Sequence, residues 1–156
     1  MSVENAKKHL AGFGLADRVM EFETSSATVE LAAAAVGCAP EMIAKTLSFD
    51  VGGATVLILA AGDAKIDNTR FKAQFHTKAK MLSFDEVAER TGHAVGGVCP
   101  FGVKDGVDVY LDESLRRFET VYPACGSAKS AVRLTIAELE ACAGHRAWID
   151  VCKNWR

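Results

Sequence analysis

The segment from Val51 to Gly62 runs twelve residues without a charge, and it limits the fold more tightly than any other feature. It is too short to cross a bilayer, which takes about 18 or more apolar residues. At its centre Val56-Leu57-Ile58-Leu59 lacks the alternation of a half-exposed strand. It predicts a strand from Ala54 to Ala61 that is buried on both faces. Val51-Gly52-Gly53 in front of it is a hairpin signal, and Lys45 to Asp50 is the partner strand.

Helical and extended signals alternate along the rest of the chain. Ser2 is placed to cap a first helix carrying Val3, Ala6, Leu10 and Phe13. A short strand is expected over Arg18 to Glu23. An alanine-rich helix follows from Thr28 to Val36, stopped by Gly37. Pro40 suits the first turn of a short helix. Asp67 caps a helix from Asn68 to Phe75, and Lys78 to Leu82 reads as a short strand. Ser83-Phe84-Asp85-Glu86 and Thr135-Ile136-Ala137-Glu138 are capping boxes, each opening a helix. Val107 to Leu111 reads as a strand and Glu113 to Arg117 as a turn capped by Asp112. Glu119 to Cys125 and Ala131 to Leu134 form a further strand pair, and Trp148 to Val151 a last strand. Regular crossover helices do not separate these strands. The pattern therefore predicts an α+β domain with a mixed or mostly antiparallel sheet, not a doubly wound one.

Length and composition narrow the class. A chain of 156 residues fits a single domain over 1–156 and buries a sizeable core. With 49% hydrophobic and 24% charged residues, it is globular and not disordered. The N-terminal stretch lacks an apolar signal core, so export is not expected and a cytoplasmic protein is. Five cysteines, none three residues apart, argue against a disulfide framework or zinc ribbon and for reduced thiols. A formal net charge of −2 excludes nucleic-acid binding driven by overall positive charge, but not a local basic patch. No phosphate loop, His-Glu-x-x-His or Gly-x-Ser-x-Gly motif is present. The four histidines are scattered, so neither a metal nor a cofactor is expected.

Four features carry potential chemistry. Lys45 shares a strand face with Leu47 and Phe49, while Thr46 and Ser48 occupy the other. A lysine between apolar neighbours either reaches water with its head or sits in a partly dry pocket with a lowered pKa. Val95-Gly96-Gly97-Val98-Cys99-Pro100-Phe101-Gly102 is a glycine-rich loop. It either makes a tight turn or aims backbone N–H groups at a ligand oxygen. Ser127 after Gly126 either bonds its own turn or holds a polar ligand. Lys65, Arg70, Lys72, Lys78 and Lys80 gather around the single acid Asp67, either as a solvated face or as a contact for phosphates. Cys99 with His93 is a conceivable nucleophile–base pair.

In order, these pieces resemble one family. A Thr24-Ser25-Ser26 segment precedes the alanine-rich helix. Ile43-Ala44-Lys45-Thr46-Leu47, Ala61-Gly62-Asp63, the Gly96 to Pro100 loop, Tyr110 to Leu115 and Cys125-Gly126-Ser127 follow. From about Thr24 to Ala143 the chain is similar to the YbaK/EbsC aminoacyl-tRNA deacylases, relatives of the editing domain inserted in bacterial prolyl-tRNA synthetases. The resemblance implies a twisted mixed sheet curled toward a barrel with helices around it. It also implies hydrolysis of the ester joining a wrong amino acid to the tRNA 3′ end. It makes Lys45 central to activity, the Gly96–Pro100 loop the shaper of the pocket, and Ser127 a neighbour of the substrate. Two positions depart from the family pattern. Cys99 stands where serine is common, and Thr46 stands where some branches carry asparagine.

The resulting expectation is a trans-editing hydrolase acting on tRNA for proline that carries a small amino acid, alanine or cysteine, with serine and threonine esters also open. Lys45, Gly96 and Gly97 are the catalytic candidates. Phe22, Thr28, Thr46, Val98, Cys99, Pro100, Gly126 and Ser127 are the substrate-binding candidates. The five basic residues are the tRNA candidates. The expected partners are the tRNA acceptor end and an aminoacyl-tRNA synthetase, with no membrane. A non-catalytic tRNA- or synthetase-binding module and a Cys99-dependent thiol hydrolase are the alternatives.

Overall fold

A computed structural model describes residues Ser2 to Arg156. The helices are α1 (Ser2–Ala11), α2 (Val29–Val36), α3 (Asn68–Phe75), α4 (Phe84–Thr91) and α5 (Ile136–Cys142). The strands are β1 (Val19–Glu21), β2 (Ile43–Val51), β3 (Ala54–Ala61), β4 (Lys65–Ile66), β5 (Asp108–Asp112), β6 (Thr120–Pro123), β7 (Ser130–Val132), β8 (Leu134–Thr135), β9 (Ala147–Ile149) and β10 (Cys152–Lys153). Short 3-10 turns cover Ala16–Arg18, Pro40–Met42 and Glu113–Arg117.

The main sheet has the order β8-β6-β2-β3-β5-β9. Strand β3 lies inside it, antiparallel to β2 and parallel to β5. Its last six residues are buried, as the uncharged run requires. The pairings β2–β6 and β5–β9 are parallel and β6–β8 is antiparallel. The sheet is therefore mixed, and it curls into a half-barrel with the helices packed around it. Leu57, Ile58, Leu59, Phe71, Phe101, Leu111, Leu115, Leu134 and Leu139 fill the core.

Both capping boxes form as read: Ser83 with Glu86, and Thr135 with Glu138. Other expectations shift. Ser2 is itself helical, and its hydroxyl donates to the Gly126 carbonyl instead of capping α1. Phe13 lies beyond the helix and is exposed. Lys78 to Leu82 makes only a single bridge, Met81 to Phe49. The two halves of the expected 119–134 strand pair separate. Strand β6 joins β2 and β8, whereas β7 pairs with β1. Alternation assigns residues to faces; it does not choose the partner strand.

Candidate active site

Strand β2 forms one wall of a cleft of about 440 Å³ through residues 43 to 48. Half of the remaining lining is alanine, valine or leucine set inside the cleft: Ala27, Val29, Ala32, Leu82, Val87, Val98, Ala124 and Ala131. Among the described lining residues Lys45 alone carries a charge. Phe49, on its strand face, is buried against Phe71 with ring centroids 4.9 Å apart.

Lys45 is half-buried, and its head does not reach freely into water. Its Nζ donates to the Gly62 carbonyl at 3.3 Å and to the Ala64 carbonyl. These partners are neutral, so burial dominates and pulls the ammonium below its ordinary pKa. Cys152 and Asp63 oppose that shift, Lys65 adds to it, and Glu30 opposes it weakly.

The turn that carries those carbonyls is fixed from several sides. Ala64 N–H closes it onto the Ala61 carbonyl at 3.0 Å. Ala61 N–H donates to the buried Ser114 hydroxyl at 3.0 Å. Asp112, wholly buried, accepts from the N–H groups of Ser114 and Val151. Gly62 lies so close to Pro40 that a Cβ there would sit 2.0 Å from the proline carbonyl oxygen, so no other residue fits without backbone movement.

The opposite wall joins two glycine loops. Gly126 N–H donates to the Gly97 carbonyl at 2.9 Å. A Cβ on Gly97 would lie 2.3 Å from the Ser127 nitrogen, so the two backbones touch directly. Gly96, at φ +87°, and Val98 border the cleft. Gly97 does not, and its N–H donates to the Ala94 carbonyl at 3.0 Å within its own turn. The donor expected of Gly97 is thus already engaged, because the turn that exposes Gly96 consumes it.

Cys99 and Pro100 point away from the cleft into the core, where Cys99 is 0% exposed. Cys99 Sγ does meet His93 Nε2 at 3.5 Å, but Nε2 is 2.7 Å from the Phe101 carbonyl. A ring nitrogen facing a carbonyl carries the proton, so Nε2 has no lone pair with which to take the thiol's. Burial pushes the Cys99 thiol up and His93 down. Both members of the pair are therefore neutral, and the geometry does not make a thiolate.

Of the two serines in this loop, Ser130 lines the cleft and Ser127 does not. Ser127 Oγ accepts from Lys129 N–H, closing its own turn. Ser130 Oγ accepts from the N–H groups of Cys125 and Ser127 and donates to the Ser127 carbonyl. Ser26 and Ser48 also line the cleft. Thr46 Oγ1 is buried without a hydrogen-bond partner and belongs to a cleft-lining residue. Thr28 lines the cleft while capping α2, its hydroxyl accepting from Leu31 N–H. Phe22 does not line it; its N–H is bonded to Lys129. Ser130 opens a buried three-residue strand, and a serine among apolar strand residues is the signal that marks it.

The five basic residues disperse. Arg70 is committed to Asp150 at 3.1 Å. Lys65 stands on β4, opposite Lys153 of β10. Lys72 and Lys78 line a separate groove with Asn68, Thr69, Ala73 and Ala79. Lys80 precedes Met81 at the cleft mouth.

The sequence model of the aminoacyl-tRNA editing domain matches residues 23–142, a span that holds Lys45, both glycine loops and Ser130. The chain belongs to the aminoacyl-tRNA editing domain family. Within it, the YbaK-type editing domains share this chain's fold. The chain is 53% identical over 156 residues to the uncharacterised protein YwhH of Bacillus subtilis (strain 168), covering 99% of each. It is 29% identical over 90 residues to proline–tRNA ligase of Bacillus licheniformis, a match that takes in 57% of this chain and 16% of the ligase. Among solved structures, a candidate trans-editing enzyme for prolyl-tRNA synthetase superposes with a TM-score of 0.87 at 30% identity, over 97% of both chains. The hypothetical protein APE2540 superposes with a TM-score of 0.77 at 26% identity, over 87% of this chain and 91% of that one.

Proposed function

We propose that the protein is a trans-editing deacylase that hydrolyses the ester of mischarged tRNA, with tRNA for proline bearing alanine or cysteine as the preferred substrate and serine or threonine esters within reach. A lone ammonium in a cleft walled by small apolar side chains, inside an editing domain, carries this reading.

The chemistry follows from that arrangement. The side chain of a small amino acid enters the apolar part of the cleft. The Lys45 ammonium meets the ester carbonyl or ribose oxygen and stabilises the negative charge that grows when a nucleophile adds. The Gly96 loop edge lies along the same cleft and supplies backbone polarity. Water adds to the carbonyl carbon, the bond from that carbon to the ribose oxygen breaks, and the ribose oxygen takes up a proton. Free amino acid and uncharged tRNA leave. No protein nucleophile is required, consistent with the neutral state of the Cys99–His93 pair. An apolar pocket separates side chains one methylene apart by only about 1–3 kcal/mol, which is why a second, hydrolytic site is useful.

Amino-acid release from tRNA for proline charged in turn with alanine, cysteine, serine and proline tests this reading. Release of a small amino acid with Pro-tRNA spared supports it. Tight binding of all four without turnover would replace it with a non-catalytic module.

A further inference from the structure

Among the described residues five large apolar side chains are exposed, and three of them border the same cleft: Phe84 (77%), Met81 (58%) and Val95 (42%). Scattered exposed hydrophobics need no explanation; a contiguous set around the mouth of one cleft marks a contact surface. Phe84 is the first residue of α4, on the face that also carries the buried Val87 and Thr91. The Ser83–Glu86 capping box fixes that end of the helix, so the ring stands on a rigid support.

We propose that Phe84, flanked by Met81 and Val95, is the platform on which the terminal base of the tRNA acceptor end stacks while its aminoacyl ester lies at Lys45. This rests on the deacylase reading above. Covalent geometry places the base: the ester is carried on the ribose, so the base lies one nucleoside's reach from the carbonyl. The rim borders the same cleft, farther along β2 from Lys45. Leu82 N–H donates to the Ser48 carbonyl and Met81 bridges to Phe49. Ser48 is three residues along β2 from Lys45, about 10 Å at the rise of a strand. An aromatic face in that position offers sequence-tolerant stacking.

Charge gives the path of the preceding nucleotides. Asp85 and Glu86 follow Phe84, which a neutral base tolerates and phosphates do not. On the other side Lys80 adjoins Met81, and Lys78 with Lys72 edges the neighbouring groove. The strand therefore leaves the cleft over Met81 toward these lysines.

The test uses tRNA for proline with 2-aminopurine in place of its terminal adenine, whose fluorescence is quenched on stacking. Wild type and Phe84→Tyr should quench it. Phe84→Ala and Phe84→Leu should not, and should bind roughly 5- to 100-fold more weakly. The ring is exposed, so these variants keep the fold; melting curves verify it. Undiminished quenching in Phe84→Ala, or full rescue by leucine, would overturn the platform. Wild-type hydrolysis without quenching would overturn the platform and leave the deacylase reading standing. Absence of both tRNA binding and hydrolysis would overturn both. If Phe84→Ala loses affinity for proline–tRNA ligase with quenching unchanged, the rim is a protein-docking face and the proposal fails.

Discussion

Arg117 grips Asp63 through two bonds, Nη2 to Oδ1 at 2.6 Å and Nη1 to Oδ2 at 3.0 Å. Asp63 lies between Gly62 and Ala64, the residues whose carbonyls hold the head of Lys45. Arg117 also reaches the carbonyls of Ser114 and Trp155, so one guanidinium ties the turn to two other segments. Asp63 raises the pKa of Lys45, and Arg117 beside it offsets part of that charge. Arg117→Ala should therefore raise the Lys45 pKa, and Asp63→Asn should lower it further. NMR titration of the Lys45 side chain reads both signs. The loosened turn in Arg117→Ala should cut kcat roughly 10- to 100-fold. A pKa moving the same way in both variants would break this relationship.

Gly97 is where the two loops touch. Gly97→Ala would force a methyl group to within 2.3 Å of the Ser127 nitrogen, and the backbones would have to part. Overpacking of this kind costs about 1–3 kcal/mol. The cleft wall moves with the loop, so KM should rise as the melting temperature falls. An alanine variant with unchanged melting would contradict the observed contact.

The buried thiols predict a loss of stability at alkaline pH. Burial pushes Cys125 up to about 11 and Cys142 up to about 12, and raises Cys99 and Cys152 as well. These groups stay protonated in the folded chain while the unfolded chain ionises them near pH 8.5. Their contribution is complete below about pH 8.5 and declines as pH rises, by about 1.4 kcal/mol per pH unit per thiol. Urea melts between pH 8 and 10.5 should show that slope, reduced in Cys125→Ala. Cys99→Ser should match wild type in the deacylation assay of the proposed function, since the thiol is buried and outside the cleft.

Thr46 holds a buried hydroxyl without a partner. Thr46→Val removes it at constant shape and should leave stability unchanged or raised by up to about 1 kcal/mol. Activity on serine esters should fall relative to alanine esters, because a polar substrate group loses its counterpart. Equal loss on both esters would mean that the hydroxyl serves the shared part of the substrate.

Much of this was legible in the sequence, for local reasons. The uncharged run places β3, the glycine pair after Val51 turns the hairpin, and the capping boxes start α4 and α5. Lys45 stands out because strand alternation sets it among apolar residues. Long-range choices were not legible. Val19 pairs with Val132, 113 positions apart, and nothing in either segment names the other. Within the Gly96–Pro100 loop, sequence does not say that Val98 turns toward the cleft and Cys99 away from it. The density of lysines between 65 and 80 suggested one patch. Tertiary packing sends Arg70 to Asp150, leaves Lys72 and Lys78 at a separate groove, and puts Lys80 next to cleft-lining Met81.

The decisive measurement is single-turnover release of alanine from Ala-tRNA for proline, comparing wild type with Lys45→Ala and Lys45→Arg in folded protein. Loss of one charge-stabilising donor should slow release about 100- to 1,000-fold in Lys45→Ala. Arginine, with a planar head that cannot reproduce the seating of Nζ on the Gly62 and Ala64 carbonyls, should restore little of it. A Lys45→Ala rate equal to wild type would contradict the assignment of this cleft as the site of hydrolysis.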